Sequence, residues 1–97
     1  MMLYALLCTD KPNSLETRTR VRPEHLAYLQ GPSVKLKSAG PFLDDAGSPT
    51  GSLVIIEAVD MASARMVATN DPYAQAGLFS NVEIKPMRWT VDNPGAL

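Results

Sequence analysis

The stretch Met2-Leu3-Tyr4-Ala5-Leu6-Leu7-Cys8 is a nearly continuous apolar run. Because successive side chains of a strand point to opposite faces of the sheet, such a run is typical of a strand with both faces buried. The stretch Leu53-Val54-Ile55-Ile56-Glu57-Ala58-Val59 repeats the pattern and is rich in β-branched residues. The two runs therefore predict central strands, and in chain order they are the first and third strands.

Two further segments alternate apolar and polar residues, which is the pattern of a half-buried strand. The first covers residues 34–39 and carries two lysines, and Gly40-Pro41 is expected to end it. The second covers residues 82–89, where Pro86 limits the strand to a sheet edge because proline has no amide hydrogen to donate. Between the second and third strands, residues 44–50 are rich in Asp, Gly, Ser and Pro and predict a compact loop.

A first helix is predicted between the first and second strands. Asn13 is expected to cap its start, with Glu16 three residues further on, and Gly31-Pro32 is expected to stop it after about Gln30. Pro23 lies inside this segment and must either kink the helix or begin a second short one.

A second helix is predicted after the third strand. Asp60 is expected to cap it, and the helical pattern runs to about Thr69. The spacing of three and four residues predicts a core-facing stripe that consists of Met61, Ala64, Val67 and Ala68.

A short turn with an acidic residue at its start follows, in the sequence Asp71-Pro72-Tyr73-Ala74-Gln75-Ala76-Gly77. Pro72 suits the first position of a helical turn, and Gly77 suits the left-handed position that closes one. The carboxylate of Asp71 is then placed to cap the free amides of the turn. Capping alone is a sufficient role for Asp71, and a part in chemistry is the alternative.

The order of the predicted elements is βαββαβ, which indicates an α+β protein with the ferredoxin-like fold. In the four-stranded antiparallel sheet of that fold the strand order is 4-1-3-2. The two apolar strands then fall in the centre and the two alternating strands at the edges. Right-handed crossovers put both helices on one face. We interpret residues 1–97 as one domain with a tail over about residues 91–97.

The sheet face opposite the helices should also be apolar, because the two central runs have few polar positions. A domain of 97 residues has nothing left to cover that face except a second copy. We therefore expect a homodimer packed sheet face to sheet face around a twofold axis, as a dimeric α/β-barrel-like assembly. A monomer with an exposed apolar face is the alternative.

The composition is that of an ordinary globular domain. Nine Lys and Arg against ten Asp and Glu give a net charge of −1, which offers no drive toward nucleic acid or an anionic membrane. No apolar run reaches the ~18 residues of a membrane span, and no basic region precedes the first apolar run. The single cysteine, Cys8, is expected to be a buried side chain, with a nucleophilic thiolate as the less favoured alternative. These features favour a cytoplasmic protein.

Polar side chains converge on one face of the first predicted helix. Positions three and four residues apart share a face, which groups Leu15, Arg18, Arg22, His25 and Leu29. Two guanidinium groups and the only imidazole of the chain therefore lie along one stripe.

Several short motifs, taken in order, are similar to those of the YCII-related domain family. They extend over nearly the whole chain, from about residue 3 to residue 87, and single ones such as Ala-Gly-Pro are weak while the series is specific. The motifs are Arg18…Arg22-Pro23-Glu24-His25-Leu26-Ala27-Tyr28-Leu29, Ala39-Gly40-Pro41, Thr50-Gly51-Ser52 and Asp71-Pro72-Tyr73…Ala76-Gly77.

The resemblance implies a ferredoxin-like fold related to that of muconolactone isomerase, and it implies a dimer. The family is characterised by a shared histidine and a shared aspartate, which match His25 and Asp71 here. Its relatives include a dehydrochlorinase that acts on a chlorinated hydroxyquinol, and some members are linked with sigma-factor-type regulators. The short connection at Gly31-Pro32 and the compact loop of residues 44–49 depart from the family pattern and change the expected rim of a site.

A histidine paired with a carboxylate is a general acid–base unit, because an imidazole titrates near neutral pH and the carboxylate selects its tautomer. His25 and Asp71 are therefore the candidate catalytic residues. Candidate substrate-binding residues, which suit an anionic oxygen or a hydrogen bond to a ligand, are Arg18, Arg22, Ser52 and Tyr73.

Each binding candidate also has a purely structural alternative. The two arginines are equally explained as solvated side chains or as partners of Glu16 or Glu24. Gly51-Ser52 is as readily a turn at the start of a strand, and Tyr73 and Phe79 suit core packing.

One histidine and one cysteine make no credible metal site, and the sequence contains neither a phosphate-binding glycine loop nor a dinucleotide motif. The sequence therefore favours a small enzyme that performs cofactor-independent acid–base chemistry, such as isomerisation, elimination or dehydrochlorination, on a small cyclic or aromatic compound. The alternative is a non-catalytic dimeric domain that binds a ligand or assists a regulator.

Contact between His25 and Asp71 does not follow from the fold. In an ideal pair of antiparallel helices Asp71 lies near the start of the first helix, whereas His25 is ~18 Å along it at the standard rise. A break at Pro23 or a second copy of the chain are the two ways to close that gap.

Overall fold

The computed structural model describes residues 1–91, and these residues form four strands and three helices. In chain order the elements are β1 (Met2–Asp10), α1 (Leu15–Leu29), β2 (Lys35–Leu43), β3 (Pro49–Ala58), α2 (Met61–Asn70), α3 (Pro72–Gln75) and β4 (Phe79–Met87). The predicted tail lies, from residue 92 onward, outside the described residues. None of the described helices is both long enough and apolar enough to cross a membrane.

The strands form one antiparallel sheet in the order β2-β3-β1-β4. This is the predicted order 4-1-3-2 read from the other edge, with the helices on one face, so the ferredoxin-like fold is confirmed. The apolar strands β1 and β3 lie side by side in the centre, where Leu6 is opposite Val54 and Leu7 is opposite Leu53.

The core lies between the helices and one face of the sheet. On that face every second side chain of the central strands is buried, namely Tyr4, Leu6 and Cys8 of β1 and Val54, Ile56 and Ala58 of β3. The helices cover this face with Leu29, Ala64 and Ala68, and with the partly buried Met61 and Val67. The core-facing stripe predicted for α2 is therefore confirmed.

The structure corrects the predicted end of β2. The strand does not stop at Gly40-Pro41 but continues through both residues to Leu43. β2 pairs only with β3, and an edge strand tolerates Pro41 because the missing amide hydrogen has no partner on the open side. A β-bulge between Leu36 and Ser38 then shifts the register. Pro41 is thereby placed opposite the buried Ser52.

The start of α1 also differs from the prediction. Asn13 has a left-handed φ of 59°, so it precedes the helix, and Ser14 occupies the N-cap position. The Ser14 hydroxyl donates to the carbonyl oxygen of Pro12 at 3.3 Å, so no side chain caps α1. At Pro23 the alternative of a second helix is wrong, because one helix passes through this residue.

The predicted caps of α2 and α3 are confirmed. Asp60 accepts a hydrogen bond from the amide of Ser63 at 2.8 Å, and Asp71 accepts one from the amide of Tyr73 at 2.9 Å. Gly77 has a φ of 75° and follows the last residues of α3, as a left-handed closing position requires.

The remaining differences concern the limits of β3 and β4. The loop between β2 and β3 is shorter than predicted, because β3 begins at Pro49 rather than at Leu53. The carboxylate of Asp44 accepts hydrogen bonds from two amides within this loop and so holds it as a tight turn. β4 begins at Phe79 and ends at Met87, and it pairs only with β1, so Pro86 lies on an edge strand as predicted.

Gly51 provides a test of how closely β1 and β3 are packed. A Cβ atom at Gly51 would lie 2.3 Å from the carbonyl oxygen of Cys8, whereas one at Gly40 would meet nothing within 4 Å. We expect Gly51→Ala to lower the free energy of unfolding by about 1–3 kcal/mol, the usual cost of overpacking. Gly40→Ala, the matched control, should leave it unchanged or slightly raised. Urea denaturation at one fixed protein concentration measures both, and equal stabilities of the two variants would contradict the close approach.

Candidate functional site

A cavity of about 220 Å³ lies between α1 and the half of the sheet formed by β2 and β3. Its apolar wall includes Leu26, Leu29, Ala39, Pro41 and Val54. Its polar residues include Arg18, Arg22, His25 and Ser52, beside the aromatic ring of Tyr73. Two larger grooves, of about 550 and 680 Å³, lie elsewhere and are more open to solvent. Neither of them is lined by the polar residues just named or by Tyr73. The smaller cavity is therefore the candidate site.

His25 and Asp71 are in direct contact beside this cavity. Nδ1 of His25 lies 2.9 Å from Oδ1 and 3.0 Å from Oδ2 of Asp71, and both residues are buried. Because a carboxylate accepts, the neutral ring carries its proton on Nδ1 and leaves a lone pair on Nε2. Asp71 also caps α3, so its capping role and its pairing with histidine coexist.

The register between α1 and α2 explains why these residues meet. The hydroxyl of Tyr28 on α1 donates to the carbonyl oxygen of Val67 on α2 at 2.8 Å. His25 is three residues before Tyr28, and Asp71 is four residues after Val67, just past the end of α2. Because the two helices are antiparallel, these two steps run in the same direction and place His25 beside Asp71. The ~18 Å separation expected from helices with level ends is therefore wrong.

Tyr73 packs against the same histidine. Its ring stacks on the imidazole of His25 with a centroid distance of 3.9 Å and an interplanar angle of 15°. The ring of Phe79 meets the ring of Tyr73 edge-on, with a centroid distance of 6.0 Å. Both aromatic residues therefore pack against neighbouring rings, as the structural alternative for them predicted. Burial raises the pKa of Tyr73, although the charges of Arg18 and Arg22 oppose this, so the phenol stays protonated near neutral pH.

Arg18 is buried and paired with Asp10. Its Nε and Nη2 donate to the two carboxylate oxygens of Asp10 at 2.7 and 3.0 Å, and Nη2 also donates to Oγ of Ser52 at 2.7 Å. The guanidinium carbon lies 4.8 Å from the ring centroid of Tyr73. Burial opposes the charged form, but the hydrogen bond and charge of Asp10 outweigh it and raise the pKa of Arg18.

Asp10 is the residue of this cluster that the sequence reasoning missed. The prediction ends β1 at Cys8, whereas the strand continues to Asp10. A carboxylate two residues beyond an apolar strand, just before a helix that carries Arg18, is the signal that was available. The pairing of Arg18 with Glu16 or Glu24 is therefore wrong.

Arg22 differs from the other candidates because it is exposed at the rim of the cavity. It forms no ion pair with any residue in the range 1–91, so the expected alternatives of Glu16 and Glu24 are not its partners there. Five of the six candidate residues are thus buried together, and the sixth lies at the opening.

Cys8 lies in the core beneath these groups. Burial raises the pKa of its thiol to about 12, and the carboxylates of Asp71 and Asp10 act in the same direction. The thiol is therefore neutral near physiological pH, which favours the buried structural role over a nucleophile. Among residues 1–91 there is no group of three His, Cys, Asp or Glu side chains placed to hold a metal ion.

Comparison with known proteins identifies close relatives. A family model described as the YCII-related domain matches residues 2–88. The protein YciI of Escherichia coli O6:H1 is 41% identical over 95 residues, a match that covers 90% of this chain and 97% of YciI. An uncharacterised protein of Haemophilus influenzae is 37% identical, with the same coverage. These matches confirm the resemblance read from the sequence motifs.

Solved structures extend the comparison. The 5-chloro-2-hydroxyhydroquinone dehydrochlorinase TftG of Burkholderia phenoliruptrix AC1100, in complex with 2,5-dihydroxybenzoquinone, is 34% identical and has a TM-score of 0.79. That match covers 92% of this chain and 94% of TftG. An antibiotic biosynthesis monooxygenase has a TM-score of 0.58 at 12% identity, which is a similarity of fold alone.

The tautomer of His25 tests the contact with Asp71. In Asp71→Ala, Nδ1 of His25 loses both of the carboxylate oxygens that lie within 3.0 Å of it. The proton of the neutral ring should then move from Nδ1 to Nε2. Ring ¹⁵N chemical shifts report this directly, and they need no assignment because the chain has one histidine.

Asp60→Ala is the matched control, because Asp60 caps α2 at an exposed position away from the ring. Its ring shifts should equal those of the parent. The same tautomer in the parent and in Asp71→Ala would contradict the assignment of the proton to Nδ1.

Proposed function

This chain belongs to the family of YCII-related domains, and from this premise we propose that it is a small cytoplasmic enzyme. Its reaction would be cofactor-independent general acid–base chemistry of the isomerase, lyase or dehydrochlorinase type on a small cyclic or aromatic compound. The observation that carries the proposal is the buried hydrogen bond between Nδ1 of His25 and Asp71, which leaves Nε2 as a base beside a cavity.

The accessibility of Nε2 supports its role as the base. Nε2 of His25 makes no hydrogen bond with residues 1–91, and no fully buried side-chain nitrogen or oxygen in that range lacks a partner. Nε2 therefore keeps some contact with solvent, and His25 lines the cavity. Asp71 holds the ring in position and compensates the charge that the imidazole gains when it takes a proton.

Two hydroxyl groups can stabilise negative charge on the substrate. Ser52 accepts its hydrogen bond from Arg18, so its own proton is free to be donated to a ligand. Tyr73 keeps its phenolic proton and also lines the cavity. Removing a proton next to a carbonyl puts charge on the carbonyl oxygen, and buried donors are most effective at that point.

The size of the cavity limits the substrate. An apolar cavity of ~150 Å³ in another protein holds one benzene molecule. A cavity of about 220 Å³ therefore suits one six-membered ring with a few substituents. The structure of TftG contains a compound of this size, 2,5-dihydroxybenzoquinone.

The chemistry needs only a proton acceptor and a stabilised intermediate. In an elimination of HCl, Nε2 takes a proton from the substrate, the freed electron pair forms a new π bond, and chloride leaves with its bonding electrons. In an isomerisation, the same proton returns to a different carbon. Neither reaction needs an external oxidant or reductant.

Chloride release from 5-chloro-2-hydroxyhydroquinone tests the proposal. We expect turnover by the parent, and we expect His25→Gln to lower kcat at least about 100-fold because the base is lost. Affinity for 2,5-dihydroxybenzoquinone should change much less, because binding uses other groups. Asp60→Asn, at the exposed start of α2, is the control and should retain the parent kcat.

The test also separates the enzyme from a ligand-binding domain. If the parent binds 2,5-dihydroxybenzoquinone but releases no chloride from the chlorinated compound and exchanges no substrate proton with deuterated solvent, the catalytic role is wrong. The non-catalytic dimeric ligand-binding or regulatory domain is then the better description.

We also propose that the protein is a homodimer packed through the open face of the sheet. The side chains that point away from the helices are apolar at the centre of that face, where Ala5 is opposite Ile55 and Leu7 is opposite Leu53. No described helix covers them, and Ala5, Leu7 and Leu53 remain partly exposed in the single chain. A second copy would bury this surface by twofold symmetry.

Light scattering after size-exclusion chromatography tests the dimer. The parent should have the mass of two chains at micromolar concentration. Leu53→Glu should weaken the dimer at least about 100-fold, because it buries an unpaired charge in the interface. Met66→Glu is the control, since Met66 is exposed on α2, on the other face. Cooperative thermal unfolding of both variants shows that they are folded. A monomeric parent would contradict the proposal.

A further inference from the structure

We propose that this site selects a ring compound that carries a delocalised organic oxyanion, either a carboxylate or the ionised form of a hydroxyquinone, and that Arg22 binds this anion. The inference rests on the proposed function, because it concerns the same cavity and adds the charge class of its substrate.

Among the basic side chains in residues 1–91 that line the cavity, Arg22 is the one without a side-chain partner. Asp10 is paired with Arg18, and Asp71 is paired with His25, through contacts of 3.0 Å or less. Arg22 has no carboxylate partner among residues 1–91. The described part of the site therefore has one guanidinium group without a carboxylate partner, and that group is at the opening.

Arg18 is less available for the same role, because Nη1 is the only nitrogen of its guanidinium group without a hydrogen bond to residues 1–91. Its Nε and Nη2 are used by Asp10 and Ser52, and the residue is only 6% exposed. Arg22 is exposed, and the guanidinium group has five donors in a planar fork that matches the two oxygens of a delocalised anion. Arg18 is therefore a positioning residue for Ser52, whereas Arg22 is available to a ligand.

The position of Arg22 on α1 places a bound anion next to the base. Arg22 is four residues after Arg18 and three residues before His25, so the three side chains share one side of the helix. All three line the cavity. An anionic group held by Arg22 at the rim leaves the attached ring in the cavity, against Ser52 and His25.

Solvent limits the strength of this selection. Arg22 is exposed, so water screens its charge and keeps it hydrated when no anion is bound. A neutral compound therefore loses the attraction but leaves no buried charge unpaired. A preference of about tenfold for the anion over a neutral ring of the same shape is the expected size.

Isothermal titration calorimetry with three probes tests the inference. Benzoate and benzamide differ in charge but share ring and shape, and 2,5-dihydroxybenzoquinone is a vinylogous acid that is ionised at neutral pH. The parent should bind benzoate about tenfold more tightly than benzamide. Arg22→Gln should weaken the binding of both anions by about tenfold and leave benzamide unchanged. Arg20→Gln, the control on the same helix, should change none of them by more than about twofold.

The two anions also distinguish the sources of the charge. Binding of benzoate alone indicates a carboxylate substrate, and binding of the quinone alone indicates an ionised hydroxyquinone. Either result supports the role of Arg22 if Arg22→Gln weakens the binding of that anion and Arg20→Gln does not. Equal binding of benzoate and benzamide, equal effects of Arg22→Gln and Arg20→Gln, or no binding of any probe would overturn the inference.

Kinetics separates this inference from the proposed enzyme. Arg22→Gln should raise KM by about tenfold with little change in kcat, because it removes binding common to ground and transition states. His25→Gln should lower kcat instead. If His25→Gln lowers kcat while Arg22→Gln leaves KM unchanged, the proposed enzyme is supported and only the anion selection is wrong.

Discussion

The carboxylate of Asp71 is the point at which the helical layer and the candidate chemistry are joined. It accepts from the amide of Tyr73 and so starts α3, and it accepts from Nδ1 of His25 on α1. A neutral side chain could cap α3, but it would not order the imidazole as an anion does. Because Tyr73 also stacks on that imidazole, the capping of α3, the packing of Tyr73 and the orientation of the imidazole all involve the Asp71 side chain.

The sequence predicted the fold well because hydrophobic patterning and strand position report the same constraint. The nearly continuous apolar runs of β1 and β3 favour the centre of the sheet, where a strand has a neighbour on each side and lies farthest from the solvated edges. Pro86 supports the same conclusion from the edge. The end of β2 was harder to predict from Pro41. A proline interrupts a central strand but is tolerated in an edge strand, and which position β2 takes depends on neighbours that are distant in the chain.

The site was predictable by residue type but not by geometry. Spacing along α1 grouped Arg18 with His25, since a helix determines which positions share a face. The position of α2 along α1 is marked by a side-chain hydrogen bond from Tyr28 to Val67. No local sequence pattern contains a contact between residues so far apart in the chain. The partner of Arg18 was missed for a similar reason, because Asp10 belongs to the site only if β1 extends two residues beyond its apolar run.

Stability alone does not account for this cluster of buried polar groups. Burying the Arg18–Asp10 pair costs desolvation of two charges, and apolar side chains of similar volume often stabilise a protein as well or better. The pair does one thing that apolar residues cannot do. Arg18 donates to Oγ of Ser52 and so directs the hydroxyl proton away from itself. Since Ser52 lines the same cavity as His25, the buried ion pair places a hydroxyl group that is free to donate beside an imidazole at one cavity.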